Sequence, residues 1–557
     1  MKTTLLRIGA IAVALQILSA SAETQFLYVV PSGTAGNTPA FPYATWETAA
    51  NSIADALSAV TDENEAVINV KPGVYNIDEQ ITVNKRNVTI QSCDENGSLA
   101  RETTILDGGY PARYPKATTN RLFRIQRENV KLRGLTLQNA YVSDIGGGVY
   151  VEGSYQTKIS GKTTTISISN FIIDSCVISN CYAIYGNTAK GGGIAYHVYT
   201  GRLHIITNSI IRNCVSSRNG AGISGSGNAL ATKTSHLLLI DSSFIDNKIE
   251  NPNNQTTYGI HLGLGSTYAE RCLFKGGSRV GGNTSRLNTQ ANSVFDKCVF
   301  DSLVGDAQFG ANGGINSFYN CTFRNMTLAS SDVQIYDGCV FSNLVAMAAS
   351  SEIFGSTPVK NCLWTHNNHP LNAQGLVENC TIVSNNVTGV LMPTASSPML
   401  KNCVIYGNKK GGNSSFLGGA NIGYRNKWIE KNTSSLTLKN CYIEDGDTAE
   451  IPNPQAANAM TKLQDFDSTG ATATIIAKAK TKGPGFVDEA NGDWRLTRKS
   501  PLRDAGLNAD WMVNATDLEG KPRLLQLNGK YSATATVDLG CYECDLPIEQ
   551  KLCIMVR

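Results

Sequence analysis

The chain has 557 residues and an almost balanced charge, with 48 Lys and Arg against 45 Asp and Glu and a net charge of +3. The basic residues form no long block, so the composition gives no support to a nucleic-acid partner. This length would ordinarily suggest several domains, but a repeat array escapes that expectation because it grows by adding similar units.

Residues 1–22 have the pattern of a secretory signal peptide. Lys2 and Arg7 supply a positive start, residues 8–18 an apolar core too short to span a bilayer, and residues 20–22 (Ala-Ser-Ala) a small-residue cleavage site. No later segment has the length and apolarity of a transmembrane helix. We therefore expect a mature chain that begins at Glu23 and is secreted or held at the cell surface.

Residues 23–65 are predicted to form a strand and a capping helix. The strand is FLYVVPSG, which begins at Phe26. Thr45 is a suitable N-cap for the helix. The apolar residues that follow it recur at helical spacing: Trp46, Ala50, Ile53, Leu57 and Val60. A helix placed before a repeat array would cover the array's open end.

Residues 66–445 are predicted to form an array of short strands, and the units are longest between 140 and 272. If Leu135, Cys176, Ser209, Ser243 and Cys272 are equivalent, the steps between them are 41, 33, 34 and 29 residues. Three glycine clusters, at 146–148, 191–193 and 220–222, lie in these long units. Extra residues in a repeat form loops on one face, and such loops usually carry the contacts.

A short phrase returns seven times between Cys298 and Cys441. It consists of a polar pair, a cysteine, a variable residue and a large apolar residue, and the steps are 23, 18, 23, 18, 23 and 38 residues. The cysteine and the apolar residue are two apart, so they point to the same side of a strand. A strand and turn repeated at this spacing cannot bury its apolar face alone and must stack on its neighbours. We predict an all-β fold, a right-handed parallel β-helix.

Equivalent side chains of stacked units are predicted to form ladders. Asparagine tolerates left-handed backbone and its amide can pair with the next layer, which suits a corner. Most of the 15 cysteines fall at one inward position, where buried thiols would act as apolar filler. Isolated disulfides, such as one between Cys176 and Cys181, are an alternative that the sequence does not exclude. The predicted ladder residues are Cys176, Cys298, Cys321, Cys339, Cys362, Cys380, Cys403, Cys441, Asn180, Asn213, Asn247, Asn325 and Asn343.

The repeat stops after Cys441. Residues 446–481 are rich in Ala, Thr, Asp and Pro and are predicted to form a linker or a loose cap. Residues 482–557 are predicted to form a small C-terminal module. This module contains GFVDEANGDWRLTRKSPLRDAG from Gly485, DLEGKPR from Asp517 and VDLGCYE from Val537.

The long units contain the densest set of candidate catalytic residues, namely His197, Tyr199, Arg202 and His204. A lyase that acts on a uronate needs a base, and it needs Arg or Ca²⁺ to neutralise the carboxylate. The paired aspartates of polygalacturonase-like hydrolases are not visible, but carboxylates from neighbouring units would escape a linear search. Ordinary surface decoration is the competing interpretation.

A second set of candidates could bind an acidic glycan. Its members are Tyr110, Arg113, Tyr114 and Tyr196. Arg121, Arg124 and Arg127 follow in the chain, but alternation would place them at uneven angles, which favours a solvated edge.

No metal site and no resident cofactor are predicted, and Ca²⁺ enters only with the lyase hypothesis. His366 and His369 form an H-x-x-H pair without a nearby third ligand. Cys541 and Cys544 form a C-x-x-C pair without the βαβ surroundings of a redox site.

Three stretches resemble known families. The segment from YVVPSG to KPGVY resembles the start of pectin-lyase-like β-helices. The glycine clusters and asparagine corners between residues 146 and 343 resemble the repeats of polymorphic outer membrane proteins. The three C-terminal motifs resemble the choice-of-anchor Q module, although Cys541 stands where a small residue is usual. The resemblances imply a surface-exposed β-helix with an adhesive role, closed by an anchor-like module.

The sequence leaves two main functions open. The first is an exported cell-surface β-helix protein that binds glycans or other surface partners, in the manner of an adhesin. The second is a polysaccharide lyase or glycoside hydrolase that acts at the long-loop face of the β-helix. A structural role in a surface layer is a third reading, and the sequence does not predict an oligomeric state.

Overall fold

The protein is a right-handed parallel β-helix. The structure is a computed structural model that describes residues 23–546 except for 62–63, 114–119, 160–161, 185–188, 199–202, 218–219, 228–235, 251–259, 262–265, 278–286, 290–292, 304–305, 312–314, 330–333, 346–357, 394–395, 411–415, 426–435, 445–449, 453–459, 463–481 and 527–529. The predicted signal peptide therefore lies outside the described residues. The all-β expectation is confirmed, and three long parallel sheets dominate the chain.

Sheet A has fifteen strands, which occur once per coil. They are Gln25–Val29, Ala66–Val70, Val88–Ser92, Val130–Arg133, Phe171–Asp174, Leu203–Thr207, His236–Ile240, Ser266–Glu270, Ser293–Asp296, Asn316–Tyr319, Gln334–Asp337, Val359–Lys360, Leu376–Glu378, Met399–Lys401 and Thr437–Lys439.

Sheet B has fourteen strands, each of which follows a sheet A strand after a corner. They are Gly73–Asn76, Thr104–Asp107, Thr136–Gln138, Val177–Ser179, Ile210–Arg212, Ser243–Ile245, Leu273–Lys275, Val299–Asp301, Thr322–Arg324, Val340–Ser342, Leu363–Thr365, Thr381–Val383, Val404–Tyr406 and Tyr442–Ile443.

Sheet C has nine strands and closes the coils of the first two thirds of the array. They are Ile81–Val83, Phe123–Ile125, Val149–Val151, Ile194–Val198, Ile223–Gly227, Ile260–His261, Leu287–Thr289, Asp306–Ala311 and Thr327–Ala329. Sheet D, a short sheet between B and C, consists of Tyr141–Val142, Tyr182–Ala183, Val215–Ser216 and Lys248–Ile249.

The remaining elements are small. A late four-stranded sheet consists of Leu371–Asn372, Val390–Met392, Phe416–Gly418 and Ile422–Arg425. Antiparallel pairs form between Ser154–Ile159 and Lys162–Ser167, between Glu450–Pro452 and Met460–Lys462, and between Phe486–Asp488 and Asp493–Leu496. Within the described residues, the helices with stated bounds are Ile53–Ser58 and the 3₁₀ turns Glu489–Asn491 and Asp510–Met512.

The N-terminal helix is shorter than predicted. It spans Ile53–Ser58, and the Ser52 hydroxyl rather than Thr45 caps it by accepting the Asp55 N–H at 3.0 Å. The preceding residues form bends and a turn, and Ala50 exchanges two backbone hydrogen bonds of 2.9 Å with the outer edge of the first strand, donating to Tyr28 and accepting from Val30. An uncovered strand edge favours this pairing over another helical turn.

From Gly134 onward each coil turns between sheets A and B in two residues, which we call the first corner, whereas the coil before it uses the longer segment between Ser92 and Thr104. The first residue has left-handed backbone, as in Asn320 with φ of 53°, and the second points inward. In the middle of the array this inward residue is Cys321, whose thiol donates to the carbonyls of Tyr319 at 3.2 Å and Phe295 at 3.5 Å. The thiol thus adds a hydrogen bond to buried carbonyl groups at the tight corner, where the Tyr319 carbonyl also accepts the Lys297 N–H at 2.9 Å.

Serine occupies the same first-corner position in two coils and makes the same kind of contact. The Ser209 hydroxyl donates to the Thr207 carbonyl at 2.7 Å and accepts the Cys176 N–H at 3.0 Å. Ser242, not Ser243, is the next member, because strand register pairs Ser243 with Ile210. The predicted equivalence was therefore wrong by one residue in that coil. The buried inward members are Cys176, Ser209, Ser242, Cys272, Cys298, Cys321, Cys339, Cys362, Cys380, Cys403 and Cys441. The described cysteines form no disulfide.

Each coil turns again after sheet B, at what we call the second corner. The asparagines predicted to form one ladder form two ladders there. Those of the first ladder adopt left-handed backbone, and they are Asn180, Asn213, Asn325 and Asn343. The second kind lies one residue later and is buried inside the coil, as at Asn247. Its amide oxygen accepts the backbone N–H of the preceding coil's residue at 3.1 Å, and its amide nitrogen donates to a carbonyl at 2.9 Å. The buried kind continues at Asn367, Asn385 and Asn408.

Aromatic rings fill the interior of sheet B in the middle coils. Phe274, Phe300, Phe323 and Phe341 stack with ring centroids 4.9 to 5.0 Å apart and nearly parallel planes. The coil spacing of about 4.8 Å imposes this distance. The large apolar residue of the repeated phrase is therefore a stacking residue of the core.

The glycine clusters form a tight ribbon between sheets D and C. Their first members adopt left-handed backbone, with φ of 68° at Gly146 and 64° at Gly191 and Gly220. A Cβ at the following Gly192 would lie 2.3 Å from the Val215 carbonyl oxygen of the next coil. A side chain there would push the coils apart, so only glycine fits.

The C-terminal module holds a cluster of buried charges. Arg523 is fully buried and pairs with Glu543 at 3.1 Å. The Asp517 and Asp538 carboxylates are also buried, and each accepts backbone N–H groups. Burial raises the pKa of Asp517, Asp538 and Glu543. These carboxylates hold the turns of the module through their hydrogen bonds to backbone N–H groups, and burying their charges costs electrostatic free energy.

Replacing a first-corner cysteine by serine should be tolerated better than replacing it by alanine. Cys321→Ala removes the donor to two carbonyls and leaves space, which we expect to cost about 1–3 kcal/mol. Cys321→Ser keeps a donor at the position that Ser209 and Ser242 use, and should cost less. Urea unfolding midpoints followed by circular dichroism measure the difference, with Cys93→Ala outside the ladder as control. Equal losses for Ser and Ala would contradict a hydrogen-bonding role.

Acidification should stabilise the C-terminal module. Burial raises the pKa of Asp538 to about 6, above the value of about 3.9 for an unfolded aspartate. Between these values the folded module binds a proton that the unfolded chain has released, so the free energy of opening should fall as the pH rises from about 4 to about 7. Hydrogen exchange over residues 482–546, corrected for intrinsic rates, measures this slope. Asp538→Asn should flatten the slope, and a flat wild-type profile would contradict it.

Candidate functional site on sheet C

Three neighbouring coils present polar and aromatic side chains on the outside of sheet C. Strand register places Arg124 beside Tyr150, and Tyr150 beside Ala195. Glu152 and His197 lie one residue beyond the paired residues Val151 and Tyr196, next to each other on the same face. We call Arg121, Arg124, Tyr150, Glu152 and His197 the sheet C patch. The alternate residues of these strands point inward and are buried.

An ion pair and an amide lie at one side of the sheet C patch. The Arg124 guanidinium pairs with the Glu152 carboxylate, and the Gln126 amide donates to the same carboxylate at 3.1 Å. The Arg124 side chain is 41% exposed and that of Glu152 is 17% exposed. Such a solvated pair contributes only about 0–1 kcal/mol to stability. A charged or hydroxyl-rich ligand can therefore exchange partners with it at little cost.

Tyr150 is the aromatic centre of the patch. Its ring contacts the His197 ring edge-on with centroids 5.8 Å apart, and the Arg121 guanidinium lies 5.1 Å from its centroid. Burial raises the pKa of Tyr150, the charge of Glu152 adds to the rise, and Arg121 and Arg124 oppose it. The phenol therefore stays protonated near neutral pH and acts as a hydrogen-bond donor.

Arg121 fixes the loop that borders the patch. It is 8% exposed, and its guanidinium donates to the Gly146 carbonyl at 2.9 Å, to Asp144 at 2.6 Å and to Gln80 at 2.6 Å. This network joins the glycine ribbon to the preceding coil and holds the cation over Tyr150. Arg121 is thus a positioning residue, and Arg124, Tyr150, Glu152 and His197 form the accessible part.

The predicted catalytic set is not brought together. His197 lies in the sheet C patch, but His204 belongs to sheet A, points inward and is 4% exposed. Its ring contacts the inward Tyr196, with centroids 5.2 Å apart, so the predicted binding residue Tyr196 is part of the core. The two histidines therefore lie apart, because His197 points outward from sheet C whereas His204 points inward from sheet A. Tyr199 and Arg202 lie outside the described residues.

The predicted glycan-binding residues Tyr110 and Arg113 lie near sheet D. Tyr110 stacks on Tyr141 at 4.7 Å and meets Tyr182 edge-on at 4.8 Å. Arg113 donates to the Asp107 carbonyl at 2.8 Å and pairs with Asp78 at 3.6 Å. These contacts hold the turn that carries Tyr110. Tyr114 lies outside the described residues.

Sequence reasoning missed Tyr150 and Glu152 and undervalued Arg124. The sequence contained a usable signal, because each sheet C strand in these coils alternates an inward apolar residue with an outward residue. The segment VYVE follows the first glycine cluster and IAYH follows the second. Aligning the coils on their glycine clusters would have placed Glu152 beside His197.

The described residues contain no group of three or more His, Cys, Asp or Glu side chains placed to hold a metal ion. Within the same part of the chain, no helix has the length and apolarity needed to cross a membrane.

Comparisons with solved structures find several similar proteins. A pectin methylesterase from carrot has 12% identity and a TM-score of 0.30, over 55% of this chain and 85% of that chain. The pectate lyase Pel9A has 12% identity and a TM-score of 0.30, over 94% and 97%. A mannuronic acid specific polysaccharide family 6 lyase from human gut microbiota has 11% identity and a TM-score of 0.31, over 67% and 77%. No protein-family model and no curated protein matches the chain.

Proposed function

We propose that the protein is an exported surface protein that binds a polysaccharide across the sheet C patch. The observation that carries the proposal is the grouping of Tyr150, Arg124, Glu152 and His197 on one outward face. An aromatic ring offers an apolar face to a sugar ring, and charged groups make strong hydrogen bonds to hydroxyl or carboxylate groups. The patch combines both kinds of contact.

The repeat geometry suits a polymer. Neighbouring coils are about 4.8 Å apart, so the three coils of the patch extend over roughly 10 Å across the strands. The patch also lies in the long units, whose loops border it at Asp144 and Gly146. A chain of sugars running across the coils would contact the same face repeatedly, which favours a polysaccharide over a single small molecule.

Removal of one patch side chain should weaken binding without unfolding the protein. Tyr150→Ala and Arg124→Ala should each weaken polysaccharide binding at least about tenfold, equivalent to about 1.4 kcal/mol. Arg324→Ala is the matched control, because Arg324 also pairs with a carboxylate, Asp301 at 3.0 Å, but lies on sheet B. A glycan array identifies the ligand, and titration calorimetry measures the affinities.

Two results would contradict the binding proposal. One is that the wild-type protein binds no glycan on the array and no cell-surface polysaccharide. The other is that Arg324→Ala weakens binding as much as Arg124→Ala, since the loss would then not depend on the sheet C patch.

A second candidate function is elimination from a uronate-containing polysaccharide at the same patch. The observation that favours it is the contact between His197 and Tyr150 beside the Arg124 cation, since a lyase needs a proton-transfer group and a positive charge near the carboxylate. Burial raises the pKa of Tyr150, so its phenol is protonated near neutral pH and would donate rather than accept a proton.

Ultraviolet absorbance of unsaturated products, with reducing-end release, separates the two functions. If the protein only binds, no product should form from a panel of uronate polysaccharides with or without Ca²⁺. If it is a lyase, absorbance should rise and His197→Ala should lower the rate at least about a hundredfold. Product formation that survives His197→Ala and Tyr150→Phe would place the chemistry elsewhere.

A further inference from the structure

The last four coils present a row of outward asparagines to the C-terminal module. Asn361, Asn379, Asn402 and Asn440 stand before Cys362, Cys380, Cys403 and Cys441 in the repeated phrase. All four adopt left-handed backbone, with φ between 48° and 55°. The earlier coils carry mixed residues at this first-corner position. They include Asp241, Arg271, Lys297 and Gly338.

These asparagines bind the backbone of the module. The side-chain amides of Asn361 and Asn440 donate to the carbonyls of Thr516 and Ala505, each at 2.9 Å. Asn379 donates to the Asp538 carbonyl at 3.2 Å.

Asn402 makes a paired contact with the module. Its amide nitrogen donates to the Leu507 carbonyl at 2.9 Å, and its amide oxygen accepts the Leu507 N–H at 2.8 Å. Its own carbonyl accepts the Gly540 N–H at 2.8 Å. A Cβ at Gly540 would lie 2.4 Å from the Thr381 hydroxyl oxygen, so the module backbone lies directly on sheet B.

Charged groups complete the polar part of the contact. The fully buried Arg523 donates to the Asn361 amide oxygen at 3.3 Å. The Trp511 indole donates to Glu378 at 2.8 Å, and the Lys360 ammonium lies 5.1 Å from the Trp511 ring centroid. Each of these groups from the module has a partner on the solenoid.

Sheet B supplies an apolar seam in the same coils. Its outward residues Leu363, Val383, Val404 and Tyr442 are at most 6% exposed, and they pack with the module. Their partners in the module are Phe486, Trp494, Leu496, Leu502, Leu539, Cys541 and Cys544. In earlier coils, strand register places Lys275, Asp301 and Arg324 where Val383 stands. The other column of the seam is apolar in earlier coils as well, at Ile210, Leu273 and Val299, so the seam is distinguished by the change from charged residues to Val383 beside an unbroken row of asparagines.

We propose that this surface is a self-sufficient binding site for the C-terminal module, which stays attached to the solenoid when the chain between residues 445 and 481 is cut. The asparagines give register through backbone contacts, the apolar seam gives affinity, and Arg523 with Trp511 fixes orientation. The module is then a lateral brace on the last coils.

A protease site inserted between residues 463 and 481 of the full-length chain tests this proposal. After cleavage under native conditions, the module should co-elute with the solenoid in size-exclusion chromatography. Separation of the two pieces, with the circular dichroism of the solenoid unchanged, would overturn the proposal.

Glycine substitutions test whether the asparagine row holds the module. Asn379→Gly with Asn402→Gly removes the amides but keeps the left-handed corner, as Gly338 does in an earlier coil. The cut module should then dissociate at least about tenfold faster. Asn325→Gly is the matched control, because Asn325 is left-handed and exposed at the second corner, outside the contact. Equal dissociation rates for the wild type and the double variant would overturn the role of the row.

Discussion

The tight corner is the constraint on which the structure depends. From Gly134 onward each coil turns in two residues, and the turn leaves inward backbone N–H groups, such as those of Cys176 and Cys214, bonded to side chains of the next coil instead of to a strand. A left-handed residue makes the turn, and an inward Cys, Ser or Asn accepts the N–H of the preceding coil, as Cys362, Ser209 and Asn247 show. This solution repeats from coil to coil, so the strands stay in register. The phenylalanine stack and the outward faces of the sheets follow from that register.

A regular interior leaves the outward positions free to differ. On sheet C they carry the charged and aromatic groups around Tyr150, and on sheet B of the last coils they carry an apolar seam with a row of asparagines. The same register thus builds a patch that faces solvent and a surface that the chain itself covers. The outward side chains decide which surface is covered, because the C-terminal module packs on the apolar seam and bonds the asparagine row.

The stacked fold could be predicted because the repeated sequence phrase shows both the length of the repeat and which of its residues point inward. Other features could not be predicted, for physical reasons. Asparagine suits both an exposed left-handed corner and a buried ladder, and the mistaken choice of Ser243 instead of Ser242 hid the extra residue of spacing that separates Asn247 from the Asn325 kind. The patch draws Arg124, Glu152 and His197 from three coils; the glycine clusters align Glu152 with His197, but no such cluster precedes Arg124 to bring it into the same alignment.

Hydrogen exchange with and without bound polysaccharide is the most direct test of the central claim, that the outward face of sheet C is the functional surface. Bound polysaccharide should slow exchange in the strands Phe123–Ile125, Val149–Val151 and Ile194–Val198 and in the bordering residues 143–146. Sheet B and the C-terminal module should exchange as before. Protection confined to sheet B or to the module, with sheet C unchanged, would contradict the account.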